Sequence, residues 1–241
     1  MANRSDARVI LIAGPTASGK SALALALADE VGAEIVNADA LQVYRDLSVL
    51  SARPSASEEA RAPHHLFGHV DGSVRYSVGG WARDAAATLA SIAARGRPAI
   101  VVGGTGLYFR ALTEGLSEAP DIAPSVRAEA EARLAAIGLA AFRAEVIAAD
   151  PAMARLKPGD RQRHIRAWEV HRATGRPLAS FQTGGAPIID SPAARLILEP
   201  PRTDLYRAIE ARFDAMMAAG ALDEARTLAA RGLDPALPVM K

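Results

Sequence analysis

The sequence predicts an α/β fold: a parallel sheet flanked by helices and interrupted by an all-helical insertion. Three observations carry that reading. Short apolar runs such as RVILIA (8–13) and PAIVV (98–102) lack polar alternation, as strands buried on both faces of a parallel sheet do. Helix-forming stretches separate them. From about Pro120 to about Ser180 the strand signal disappears and only helical segments remain. At 241 residues, this is one large domain or one domain carrying an insertion.

The elements follow in order. Arg8 to Ala13 is the first strand, and Gly14 to Ser21 is the turn that leaves it. Ala22 to Val31 is rich in strong helix formers and stops at Gly32. Glu34 to Asn37 is a short strand that delivers Asp39 just past its C-terminal end. Ser77 to Arg95 is an amphipathic helix ended by Gly96. Pro98 to Val102 is a third buried strand, followed by Gly103, Gly104 and a helix from about Thr105. Beyond Pro120 a helix opens at Asp160 as N-cap and closes at Gly175. Arg195 to Leu198 restores a strand, and helices run from Thr203 to Arg231. The expected division is a core from 1 to 120, a helical insertion from 121 to 190, and a return to the core from 191 to 241, incomplete at the C-terminus. Ligands of such sheets bind beyond the C-terminal ends of the strands, where the loops after the first three strands converge.

Composition narrows the class. The absence of Cys excludes a disulfide framework and thiolate metal sites. No run approaches the ~18 apolar residues of a membrane span, and the polar N-terminus has no secretory pattern. The expectation is a soluble, cytoplasmic monomer without membrane association. Net charge is +1 overall, with 10 basic and 7 acidic residues between 121 and 180, so a polyanion would prefer that segment. Nearly all basic residues are Arg; Lys occurs only at 20, 157 and 241.

Lys20 falls where chemistry wants a cation. Gly14-Pro15-Thr16-Ala17-Ser18-Gly19-Lys20-Ser21 matches G-x-x-x-x-G-K-[ST], with a buried strand before it and a helix after it. Such a P-loop gathers backbone N–H groups into one concavity and adds the positive end of the following helix. Lys20 then meets phosphate oxygens and the Ser21 hydroxyl ligates Mg²⁺. A phosphorylated ligand follows, and the core is of the P-loop NTPase-like type. An ordinary nucleotidase fits less well. There is no N-K-x-D motif, and Val102-Gly103-Gly104-Thr105 leaves the acidic Walker B position empty. Asp39 supplies the carboxylate near the loop.

Several segments resemble one family, the tRNA dimethylallyltransferases, also called tRNA isopentenyltransferases. They are GPTASGKS (14–21), NADALQVY (37–44), APHHL (62–66), VVGGTGLYFRALTEGL (101–116), DRQRHIRAWEVHRATGRP (160–177) and RAIEARFDAMMAAGALDEA (207–225). They follow the family's order and spacing over essentially the whole chain. The resemblance implies transfer of a dimethylallyl group from dimethylallyl pyrophosphate to N6 of adenine 37, next to the anticodon of a tRNA. The phosphate loop would then hold an isoprenoid diphosphate, in keeping with the missing Walker B acid.

The resemblance also implies roles. Asp39 is the expected general base for the exocyclic amine. Thr105 and Arg212 are expected to stabilise the leaving diphosphate with Lys20, the loop amides and Mg²⁺ on Ser21; Thr105 could instead cap the helix that follows. Asp39, Ala40, Leu41, Gln42 and Thr105 are expected to meet the flipped adenine. Arg127, Gln162, Arg163, His164, Ile165 and Arg166 match the family's tRNA contacts. Such phosphate contacts position the RNA and are salt-dependent; a merely solvated helix face is the competing reading, with Ile165 and Trp168 packing inward. His64 and His65 are adjacent and point apart, which suits loop ordering better than a metal.

The sequence departs from the family at two places. Position 40 is Ala where the family has Ser, and Lys241 ends the chain where the family continues through I-G-[YV]-[KR]-[QE] and further helices. The expectation is retained pyrophosphate binding with weak tRNA affinity. Three rivals stay open: an adenylate isopentenyltransferase, a small-molecule P-loop kinase and a non-catalytic RNA-binding remnant.

Overall fold

The computed structural model describes residues 9–116, 120–182, 184–189 and 194–241. It falls into two compact units: one runs to Thr113 and resumes at Pro187, and the other is Glu114–Ala186.

The first unit is a five-stranded, all-parallel sheet in the order β3-β2-β4-β1-β5. The strands are β1 (Val9–Ala13), β2 (Glu34–Asn37), β3 (His64–His65), β4 (Ala99–Gly103) and β5 (Ala194–Ile197). The expected Arg8 lies outside the described residues. Helix α1 (Lys20–Val31) starts earlier than Ala22, because Gly19 sits in the left-handed region at φ 84° and opens the helix directly from the phosphate loop. Its Ala24, Leu25 and Ala28 pack with Ile12, Ile35, Ile100 and Val102 in one buried cluster. Val36 and Val101 alternate with these along their strands, so they face the other side, where α3 (Val78–Ala94) packs on β2 and β4. A single turn, α2 (Ala56–Glu59), lies between β2 and β3, and α4 (Gly106–Thr113) follows β4.

The two-residue β3 is too short to leave a periodic signature, so the sequence had no strand there. Its histidines turn to different partners: His64 Nδ1 lies 2.8 Å from Ala62 O, and His65 Nε2 lies 2.7 Å from Glu34 Oε2.

Strand order locates the site. The connection from β1 runs to β2, and the one from β4 leads to β5 on the opposite side, yet β1 and β4 are neighbours. This reversal opens a crevice beyond their C-terminal ends, between the loops that begin at Gly14 and Gly104. Helices α7 (Arg202–Ala218) and α8 (Ala221–Ala230) close the unit. β5 is exposed along its length, and α7 carries no buried residue.

The second unit is helical. Its α5 (Pro124–Ala149) is interrupted at Gly138, where φ 77° and ψ 163° leave the helical region. Arg133 pairs with Glu145; twelve residues of straight helix would part them by about 18 Å, so the chain doubles back at Gly138. Leu134 and Phe142 on the two arms pack with Met153 and with Ile165 of α6 (Arg161–Thr174). Asp160 caps α6 by accepting from Arg163 N, and Gly175 ends it. Among the described residues no helix is long and apolar enough to cross a membrane.

Candidate active site

The phosphate loop, Gly14–Ser21, leaves β1 and enters α1. Ala17 (φ 62°) and Gly19 (φ 84°) both take left-handed backbone, the alternation that turns successive N–H groups toward one side. No side chain caps α1, so its first amides and its positive end face outward at the loop. Pro15, Thr16, Gly19 and Ser21 are exposed. Packing on the inner side is tight: a methyl group at Gly14 would meet Ser18 Oγ at 2.7 Å. Lys20 Nζ folds back to donate to Pro15 O at 3.0 Å.

Asp39 reaches this loop. A methyl group placed on Gly104 would lie 3.6 Å from Gly14 O and 3.7 Å from Asp39 Oδ2, so the carboxylate and the loop backbone flank the same glycine. Lys20 registers its surroundings: burial and the Arg212 charge lower its pKa, burial being the larger cause, and Asp39 acts to raise it. Arg212 is half-buried on α7. Asp39 and Arg212 are thus the two charges that act on Lys20.

The loop after β2 is held from several sides. Asp39 Oδ1 accepts from Leu41 N at 2.9 Å, which leaves Oδ2 unengaged by that bond. Thr105 Oγ1 accepts from Ala40 N at 3.0 Å, so that hydroxyl braces the Asp39 loop, with its own proton available to donate. Gly103 permits the approach: a methyl group there would stand 2.1 Å from Ala38 O. Leu41 is exposed. Gln42 Nε2 donates to Ser51 O at 2.9 Å and Ala52 O at 3.0 Å. Two carbonyls settle the amide orientation and consume both donors, so Oε1 remains as an acceptor.

Sequence reasoning missed the residue that organises this loop. Asn37 is fully buried. Its Oδ1 accepts from Asp39 N at 2.8 Å, and its Nδ2 donates to Asp39 O and Leu66 O, each at 3.0 Å. Trp81 Nε1 donates to Asn37 O at 2.9 Å and the indole stacks on Tyr108, with centroids 4.1 Å apart. Burial raises the Tyr108 hydroxyl pKa most, with smaller contributions from Tyr44 and Asp39. A polar residue at the C-terminal end of a short strand, directly before the Asp39 turn, was the available signal.

In the helical unit the expected contact residues divide. Gln162 and Arg163 are exposed on α6, and Arg163 pairs only loosely with Asp160 at 3.4 Å. His164 and Ile165 are buried, so their side chains face the unit's interior. Arg127 pairs with Glu131 and with the buried Glu169, each at 3.1 Å. Arg166 donates to Pro120 O at 3.1 Å and lies 3.7 Å from Glu169. These two arginines are therefore largely committed inside the unit.

Comparison with known proteins gives a consistent picture. Residues 42–241 match the family model described as IPP transferase, and residues 7–64 match one described as isopentenyl transferase. A tRNA dimethylallyltransferase of Phenylobacterium zucineum is 58% identical over 98% of this chain and 77% of its own. One from Methylocella silvestris is 54% identical over 96% and 78%. A crystal structure of a eukaryotic dimethylallyltransferase acting on tRNA superimposes with a TM-score of 0.78 at 26% identity, covering 95% of this chain and 58% of that one. The full-length tRNA isopentenylpyrophosphate transferase of Bacillus halodurans gives 0.60 at 31%, covering 97% and 73%.

Proposed function

The chain belongs to the IPP transferase family of tRNA dimethylallyltransferases, and on that premise we propose how it works. It transfers a dimethylallyl group from dimethylallyl pyrophosphate to N6 of adenine 37 in a tRNA and releases pyrophosphate. The single observation that carries the mechanism is the approach of the Asp39 carboxylate to the phosphate-loop backbone, with Gly14 O and Asp39 Oδ2 at 3.6 Å and 3.7 Å from a methyl group placed on Gly104.

The adenine amine is a weak nucleophile, because its lone pair is delocalised into the ring. Asp39 Oδ2, not engaged by the Leu41 hydrogen bond, accepts an N6 proton as the C–N bond forms. Gln42 Oε1 faces the second N6 hydrogen as an acceptor, and Leu41 offers apolar surface beside the ring. On the other side the allylic C–O bond breaks and charge builds on the diphosphate. The loop amides, Lys20, Arg212 and the Thr105 hydroxyl proton meet that charge in place.

Among the described residues no three His, Cys, Asp or Glu side chains gather as a metal cage. The exposed Ser21 at the start of α1 suits Mg²⁺ carried by the diphosphate, an ion that keeps most of its ligands from water and phosphate. Ser21 would hold it, and it would supply neutralising charge to the leaving group. Gln162 and Arg163 are the exposed α6 side chains for RNA phosphate contacts. Substrates of this kind place the reaction in the cytoplasm.

The test is direct. Incubation with dimethylallyl pyrophosphate, Mg²⁺ and an anticodon stem-loop should yield adenosine heavier by one dimethylallyl group. Asp39→Ala should abolish that product while leaving dimethylallyl pyrophosphate binding within about twofold, since it removes a proton acceptor rather than a phosphate ligand. Normal turnover by this variant overturns the role given to Asp39.

A further inference from the structure

A part of the molecule outside the catalytic group is wired to Gln42. Glu224 sits in the first turn of α8, more than 170 residues along the chain from the loop it grips. Its Oε2 accepts from Ser48 N and Val49 N, both at 2.9 Å, and its Oε1 accepts from Leu50 N at 2.8 Å. Three consecutive amides thus share one carboxylate. The same helix grips the loop's flank through its C-cap residue: Arg231 pairs with Asp46 and donates to Asp71 Oδ1 at 2.8 Å. The loop itself is a tight turn, with Ala52 N donating to Val49 O, Arg53 N donating to Ser48 O, and Ala52 at φ 48°. Its Ser51 and Ala52 carbonyls are the two acceptors that fix the Gln42 amide.

We propose that Glu224 is a positioning residue for adenine recognition: by ordering Ser48–Leu50 it aims Gln42 Oε1 at the entering base. This rests on the reading of Gln42 given above. A charged acceptor for three amides is a strong constraint, since hydrogen bonds to ionised groups exceed neutral ones. Without it the exposed Ser48 and Leu50 amides turn to water, which fixes the turn in no one place. A turn so released no longer presents two carbonyls at fixed places, and the Gln42 side chain loses its tether. The phosphate loop and Thr105 share none of these bonds, so the effect falls chiefly on the RNA substrate.

The experiment measures dissociation constants for an anticodon stem-loop and for dimethylallyl pyrophosphate, alongside transfer, with the full chain. Glu224→Ala should weaken RNA binding and raise its KM by roughly tenfold, with kcat and diphosphate affinity within about twofold. Glu224→Gln keeps an oxygen for two of the three amides and should recover part of the loss. In a Gln42→Ala background, Glu224→Ala should add almost nothing, because both act through one contact. Additive effects, equal losses for both substrates, or unchanged RNA binding overturn the proposal. If the wild-type chain binds RNA but shows no transfer, the catalytic reading fails while the binding cycle still decides the role of Glu224. A wild-type chain that binds no RNA overturns both.

Discussion

At the scale of single residues, Asn37 sets the backbone geometry around Asp39. It supplies one acceptor and two donors to the backbone around the carboxylate from a fully buried position. Asn37→Ala leaves Asp39 N and the Leu66 carbonyl without these partners, at a cost of about 1–3 kcal/mol for each group left unmade. The expected outcome is a lower unfolding midpoint in denaturant and a kcat reduced by about tenfold or more, since a small displacement of a base is costly. Unchanged kcat in a folded variant would detach Asn37 from the reaction. Lys20 yields a pH prediction. Burial and Arg212 lower its pKa, so the ammonium loses its proton at a lower pH than an ordinary lysine. Affinity for dimethylallyl pyrophosphate should therefore fall on the alkaline side earlier than for an unperturbed lysine. Lys20→Arg, whose charge persists, should remove that alkaline loss even if it binds more weakly. Calorimetric titrations across pH 7 to 10 read both curves.

At the scale of elements, what could be read from the sequence depended on the length of the signal. The P-loop, the β2 strand and the α6 caps at Asp160 and Gly175 were legible, because each rests on contiguous residues with strong backbone preferences. The two residues of β3 were not, and neither was the turn-back at Gly138, where one glycine within a helix-forming stretch redirects the chain. The tethering of Gln42 by the Ser51 and Ala52 carbonyls is a tertiary fact with no local pattern. The inward placement of His164 was also hidden, since a histidine beside Arg163 and Arg166 reads as one more polar contact. Helix α7 is the element where sequence and packing diverge most. It bears Tyr206, Ile209, Phe213 and Met217 at helical spacing, yet all four are exposed. A helix without buried side chains is held by few apolar contacts, and such segments open easily. Its amides should exchange with solvent well ahead of those of α1 and α3 in native-state hydrogen exchange. Protection equal to that of α1 would contradict this. Arg212 rides on α7, so added diphosphate should slow exchange there more than in α3.

At the scale of the whole molecule, the near-neutral total of +1 conceals an uneven distribution, with a surplus of three positive charges between residues 121 and 180. Not all of that surplus is free. Arg127 and Arg166 engage Glu169, and Arg133 engages Glu145, so those charges are spent inside the helical unit. Arg163, at 72% side-chain exposure and loosely paired with Asp160, retains its field for an incoming polyanion. RNA affinity that depends on released counterions falls with salt in proportion to the number of phosphates neutralised. Arg163→Ala should therefore weaken stem-loop binding similarly for different loop sequences and make the log–log salt slope shallower by about one. Arg133→Ala removes a cation of the same unit that is already paired, and should leave the slope unchanged. Fluorescence anisotropy at 50 to 200 mM salt separates the two. Equal slopes for wild type and Arg163→Ala would mean that this exposed face of α6 does not meet the RNA backbone, and that phosphate binding must be sought elsewhere on the molecule.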